Sequence, residues 1–123
     1  MTTAPRADKT TMLSGEFAHW AILDAALRPE AVPVPGADWP EVNQFALSFD
    51  GYAYRGDQLG GWANQAVKRF QRSGTLSRAL ALPDLRALLF FVQRRFHHFG
   101  TSPDDGDRAY IDALLMAIRA RVP

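Results

Sequence analysis

Cations and histidines suited to binding an anion lie close together in the second half of the sequence. An arginine guanidinium is a planar fork of donors that matches carboxylate and phosphate groups. If two consecutive helices pack as neighbours, their basic sides meet. We predict that two groups of residues then form an anion- or partner-binding site: Lys68, Arg69 and Arg72 on one helix, and Arg94, Arg95, His97 and His98 on the next.

A structural role for the second of these groups stays open. Cations near the end of a helix interact favourably with its dipole, and they also pair with carboxylates of neighbouring elements. Candidate carboxylates belong to Asp50, Asp57, Asp104 and Asp105. If one of them supplies the partner, the cluster around Arg94 belongs to the fold rather than to a binding site.

The adjacent histidines raise an alternative, an enzyme that uses His97 or His98 together with an aspartate. Successive helical residues point about 100° apart, so the two rings cannot easily share one metal ion. The sequence contains no cysteine, no Gly-x-Ser-x-Gly and no glycine-rich phosphate loop. We therefore predict no catalytic residue, no metal and no cofactor, and favour a non-enzymatic protein.

Three aromatic residues around a proline-rich segment form a second candidate surface. Trp39, Tyr52 and Tyr54 are of the types that anchor protein interfaces. The alternative is that they lie at the edge of the core, where such residues are common.

Length and composition limit the classes of protein that remain. At 123 residues the chain is long enough to fold as one domain with its own core. It has no apolar run of membrane-spanning length and no apolar signal-peptide core. These features predict a cytoplasmic protein, and 12 arginines against 2 lysines indicate a GC-rich bacterial genome.

The net charge is +1, but the charged residues are unevenly distributed along the sequence. Residues 1–66 carry 4 cations and 8 acids, giving −4, whereas residues 67–123 carry 10 cations and 5 acids, giving +5. Such an asymmetry either lets the two halves neutralise each other or leaves a basic surface for an acidic partner.

The predicted fold is organised around one helix, Leu85–Phe99. Pro83 and Asp84 suit its first turn, and Gly100 suits its C-terminal cap. One apolar face repeats at helical spacing and a second apolar side adjoins it, so several neighbours must cover the helix. The first face consists of Leu85, Leu88, Leu89, Val92, Phe96 and Phe99, and the second of Ala87, Phe90 and Phe91.

The remaining segments are predicted from caps, breakers and periodicity. Residues 1–12 are expected to be a disordered tail and 13–123 a single helical domain. Helices are expected at 14–28, at 57–72 and from a Ser102 cap to about Val122, with an extended loop at 29–37 and a short helical turn at 76–82.

Residues 39–54 allow two interpretations. A helix has Asp38 as its N-cap, an apolar face and Gly51 as its stop. A short hairpin at 45–54 has alternating apolar residues and Asp50-Gly51 as a two-residue turn. We favour the helix because a two-stranded hairpin has no third strand to pair with.

Together these observations predict an all-α protein, a single compact bundle of four to five helices around a central buried helix at about 83–99. The function we expect is that of a small bacterial protein-interaction module, such as an immunity protein, an antitoxin-like regulator or an accessory subunit. Nucleic-acid or phosphate-ligand binding through the basic helix face is the main alternative, although 62–82 makes a poor helix-turn-helix. Homo-oligomerisation also stays open.

Overall fold

Helices account for all the regular secondary structure in the part of the chain that the structure describes. A computed structural model describes residues 27–49 and 56–122, with side chains from residue 60 onwards in the second range. It contains the α-helices α1 (Trp39–Leu47), α2 (Gly56–Ser73), α3 (Leu82–Phe99) and α4 (Asp105–Arg121). The prediction of an all-α helical bundle is confirmed, and none of the described helices is long and apolar enough to cross a membrane.

Helix α3 is the central helix, and it contacts each of the other three. Its first turn contains Pro83, and the Asp84 carboxylate accepts the N–H of Ala81 at 2.9 Å. Ala87 and Phe90 are fully buried on the second apolar side, so the prediction of a helix covered on several sides is confirmed. The first face is buried from Leu85 to Phe96, but the prediction for Phe99 is wrong, because 68% of this residue is exposed beyond the last packed turn.

Besides Asp84, the charged residue Arg86 of α3 lies in the interior. Arg86 is 5% exposed, and its guanidinium lies 4.7 Å from the ring centre of Phe45 and 5.4 Å from that of Phe49. It donates a hydrogen bond of 2.9 Å to Ser48 Oγ. The guanidinium therefore joins α3 to the end of α1 through cation–π and polar contacts.

Helix α1 shows that the helical interpretation of this stretch is right and the hairpin wrong for residues 45–47. Asp38 is the N-cap residue, Pro40 lies in the first turn, and the inward face is buried. The helix ends at Leu47 with Ser48 as its cap, before the expected stop at Gly51. Residues 50–55, which include the predicted turn, lie outside the described ranges.

Two other boundaries differ from the predictions. Residues 76–81 form a turn rather than a helix, because Ser77 Oγ accepts the N–H of Ala79 and Leu80 is drawn into the core. Helix α4 begins after Asp104 rather than after Ser102. The predicted tail at 1–12 and most of the predicted helix at 14–28 lie outside the described residues, although Leu27 and Arg28 are not helical.

The proline-rich segment 29–37 is bound along one face of α4. After a 3₁₀ turn at Pro29–Ala31 the backbone is extended at Val32, and a second turn follows, in which Gly36 adopts φ +91° and the N–H of Ala37 bonds to the carbonyl of Val34. Arg119 donates to the carbonyls of Pro29 and Val32 at 3.2 and 2.8 Å, and Arg108 donates to that of Ala37. Asp112 Oδ1 accepts the N–H of Gly36 at 2.9 Å. We call this segment the strap, since three side chains of one helix hold its backbone.

Candidate functional site

The predicted cluster at the end of α3 divides into a structural residue and exposed ones. Arg95 is half-buried, lies 5.2 Å from the ring centre of Phe96, and forms an ion pair of 3.4 Å with Asp107 at the start of α4. Its partner is thus none of the four aspartates considered from the sequence. Arg95 connects the end of α3 to the beginning of α4.

The end of α3 is fixed by backbone hydrogen bonds. Gly100 adopts the left-handed conformation at φ 64°, ψ 31°, and its N–H bonds to the carbonyl of His97. The N–H of Thr101 reaches back to the carbonyl of Phe96 at 3.0 Å, which completes a Schellman motif. Around this end Arg94, His97, His98 and Phe99 are exposed, with the His98 and Phe99 rings in edge contact at 4.8 Å.

The acidic start of α4 lies beside this end. The Asp104 carboxylate accepts the N–H of Asp107 at 2.8 Å, and the Asp107 carboxylate accepts the N–H of Asp104 at 3.1 Å. These reciprocal bonds form a capping box. The backbone hydrogen bond from Asp107 holds the pKa of the Asp104 carboxyl below its usual value, and the charge of Arg95 adds to this effect. The surface around His97 therefore carries both signs of charge.

The basic side of α2 has a different character. Lys68, Arg69 and Arg72 are exposed there, and Arg78 is exposed on the following turn. We call these four residues the α2 basic surface. The ion pairs found in the described ranges are Arg95–Asp107 and Arg108–Asp112, and neither involves this surface. Between Asp57 and Asp84 the sequence contains no acid at all.

The structure does not merge the two predicted groups of cations into one site through direct contacts. Apolar residues join α2 to its neighbours: Gly60 lies against Phe91 of α3, and Phe70 packs at 5.3 Å between ring centres on Tyr110 of α4. The α2 basic surface and the exposed end of α3 are accordingly treated as separate candidates.

A cleft opens between α2 and the turn that follows it. The space between its walls, including open solvent at the mouth, is about 400 Å³. Residues at successive turns of α2 form one wall, and the segment 75–80 forms the other. The lining residues are Trp62, Gln65, Ala66, Arg69, Thr75, Leu76, Ser77 and Leu80.

Local hydrogen bonds fix the wall opposite α2. Gly74 adopts φ +74° and its N–H bonds to the carbonyl of Phe70, which ends the helix. Ser73 Oγ donates to the carbonyl of Arg69 at 2.9 Å and accepts the N–H of Thr75 at 3.2 Å. Arg121 of α4 donates to the carbonyl of Arg78 at 3.3 Å. The turn is thereby tied to two helices.

The predicted aromatic patch is only partly covered by the described residues. Trp39 is half-buried and packs edge-on against Phe96 at 5.5 Å, whereas Tyr52 and Tyr54 lie outside the described residues. The aromatic patch stays a prediction. Within the described ranges no group of three or more His, Asp or Glu side chains is arranged to hold a metal ion.

Two features of the candidate site were not predicted from the sequence. Arg78 was not part of the predicted basic group, although the acid-free run from residue 58 to residue 83 includes it. Trp62 is half-buried, packs against the core and also lines the cleft, and no sequence pattern marked it as a site residue.

Comparison with known proteins adds no relative: no protein-family model, no curated protein and no solved structure matches the chain.

Proposed function

We propose that this protein is a non-enzymatic interaction module that binds an acidic segment of another protein through the α2 basic surface. The observation that carries the proposal is that Lys68, Arg69, Arg72 and Arg78 are exposed and form no ion pair with any residue that the structure describes. Like charges held close together destabilise a free protein by repulsion, whereas an acidic partner relieves that repulsion.

The overall charge of the chain and the small extent of the α2 basic surface favour a protein partner over nucleic acid. Nucleic-acid-binding domains usually have a pI above about 9 and a basic stripe along the bound backbone. The pI of this chain is about 8.2, and its α2 basic surface is confined to residues 68–78. Electrostatic complementarity at such a surface speeds association and selects partners by charge.

The setting that fits these features is a bacterial cytoplasm, as for an immunity protein, an antitoxin-like regulator or an accessory subunit. An interaction module of this kind needs a stable scaffold and one chemically distinct face. Here the packed core around α3 supplies the scaffold, and the charged side of α2 supplies the face.

Site-specific photo-crosslinking in the source cells tests this function. A benzoylphenylalanine at Gln71, an exposed position between Arg69 and Arg72, is expected to give one dominant protein adduct. The same probe at Met116, which is 61% exposed on α4, is the positional control and should not give that adduct.

Charge reversal shows whether the contact is electrostatic. Arg72→Glu should abolish the adduct, whereas Arg28→Glu, which changes the net charge equally at another exposed arginine, should leave it intact. An adduct that survives Arg72→Glu, or that contains only a second copy of this chain or nucleic acid, would contradict the proposal.

A further inference from the structure

The cleft within the α2 basic surface has the composition of a phosphate site. It is lined by Arg69, Gln65, Thr75 and Ser77, whose side chains contain hydrogen-bond donors, and no acidic residue lines it among those that the structure describes. A phosphorylated side chain carries about −1.5 to −2 charges near neutral pH and three strong acceptor oxygens. We infer that the cleft binds the phosphate of a phosphorylated side chain in the partner segment, an inference that rests on the function proposed above.

The number and type of donors favour phosphate over carboxylate. One arginine fork satisfies a carboxylate with two parallel hydrogen bonds. A phosphate has a third oxygen, which the Ser77 hydroxyl on the opposite wall can bind, whereas the Thr75 hydroxyl already lies 3.2 Å from Ser73 Oγ. Ser77 Oγ already accepts a hydrogen bond from the N–H of Ala79, and its hydroxyl proton can still be donated to a phosphate oxygen.

The surrounding charge matches a dianion. Lys68 and Arg72 lie one residue before and three residues after Arg69 on α2, and Arg78 follows Ser77 directly on the opposite wall. Clusters of arginine are the usual means by which proteins recognise phosphorylated segments. A single carboxylate would leave most of this charge unneutralised.

The cleft is held open before any ligand binds. Ser73, the left-handed Gly74 and the bond from Arg121 to the carbonyl of Arg78 fix the wall opposite α2. A preformed wall reduces the entropy lost on binding. The apolar part of the lining, formed by Trp62, Ala66, Leu76 and Leu80, provides contact for the residue next to the phosphorylated one.

Binding of three degenerate peptide pools by the full chain tests the inference. The pools carry phosphoserine, glutamate or serine at a fixed central position, and fluorescence polarisation measures their affinity. We expect the phosphoserine pool to bind at least about tenfold more tightly than the glutamate pool, the gain of one charge-assisted hydrogen bond. Inorganic phosphate should also shift the NMR signals of the Trp62 indole N–H and of the Thr75 and Ser77 amides.

Variants locate the effect. Arg69→Gln should remove the preference for phosphoserine, and Arg69→Lys, which keeps the charge but not the fork, should reduce it while preserving glutamate binding. Arg28→Gln is the matched control and should change nothing. Circular dichroism verifies that each variant is folded.

Each outcome bears on one proposal or on both. If the phosphoserine and glutamate pools bind equally and Arg72→Glu weakens both, the phosphate inference is overturned while the proposed function stands. If no pool binds, both are overturned. If a single-stranded oligonucleotide binds more tightly than every pool, with affinity falling steeply with salt, nucleic acid replaces both proposals.

Discussion

The phenol of Tyr110 is buried without a hydrogen bond from any residue that the structure describes. The residue is 4% exposed, its ring packs against Phe70, and burial raises the pKa of the hydroxyl. An unsatisfied buried hydroxyl costs free energy that its removal recovers.

Tyr110→Phe should therefore leave the free energy of unfolding unchanged or raise it by up to about 1 kcal/mol, because the ring stays and only the unpaired hydroxyl is lost. Urea unfolding measures this difference. Tyr110→Leu serves as the control, since it removes ring packing and should destabilise the protein. A clear loss of stability in Tyr110→Phe would mean that the hydroxyl has a partner.

The Asp104 carboxylate makes the stability of the α4 start dependent on pH. Because the pKa of this group is lowered in the folded protein, its contribution is present above the ordinary value of 3.8 and is lost as the pH falls through the folded pKa. Asp104→Asn keeps a good N-cap but removes the titration.

In Asp104→Asn, the loss of stability on acidification below about pH 4 should be smaller than in the unmodified protein. Thermal unfolding between pH 7 and pH 2.5 provides the measurement. Asp104→Ala, which also removes the cap, should be less stable already at pH 7. If Asp104→Asn lost as much stability on acidification as the unmodified protein, other carboxylates would govern the acid-induced loss of stability.

At the scale of elements, the strap is held by polar bonds from α4 and by a few buried side chains. Val32 and Ala37 lie in the core, at 2% and 8% exposure. Arg108, Asp112 and Arg119 of α4 form hydrogen bonds with the backbone of the strap. Backbone groups of a segment without regular structure need such partners when they lie against the protein.

Arg119→Ala should destabilise the protein by about 1–3 kcal/mol, because two carbonyls of the strap lose a charged donor. Denaturant unfolding gives the magnitude, and amide hydrogen exchange should be faster at Ala31 and Val32. Arg28→Ala, an exposed arginine, is the control and should have an effect of at most about 0.5 kcal/mol. Equal effects of the two substitutions would show that the apolar contacts alone hold the strap.

At the scale of the whole molecule, the unequal charge distribution is only partly compensated inside the fold. Arg95, Arg108 and Arg119 of the basic half are used by α4 and the strap. The α2 basic surface stays outside this network and adds repulsion to the free protein.

Arg72→Gln should therefore raise the melting temperature slightly at low ionic strength, and the gain should shrink in about 1 M salt, where charges more than about 3 Å apart are screened. Differential scanning calorimetry at two salt concentrations checks this. Arg28→Gln should show no such salt-dependent gain. A destabilised Arg72→Gln would mean that Arg72 makes a structural contact and would weaken the case for a binding role.

The sequence alone determined the approximate positions of α1, α2, α3 and α4 and the identity of the central helix. The period of apolar residues from Leu85 to Phe96, together with Gly100 as a stop, depends on local geometry and burial, which the order of residues encodes directly. It also determined that basic residues fall on the exposed side of α2.

Only the tertiary structure decided which cations remain available for a partner. Arg95 was predicted as part of a binding cluster, yet its ion pair with Asp107 depends on where α4 begins relative to the end of α3. The periodicity of a sequence predicts on which face of its helix a side chain lies. It does not predict which residues of other elements pack against that face. For the same reason the cleft, whose second wall is a non-helical turn rather than the predicted short helical turn, is defined only by the packing of α2 against residues 75–80.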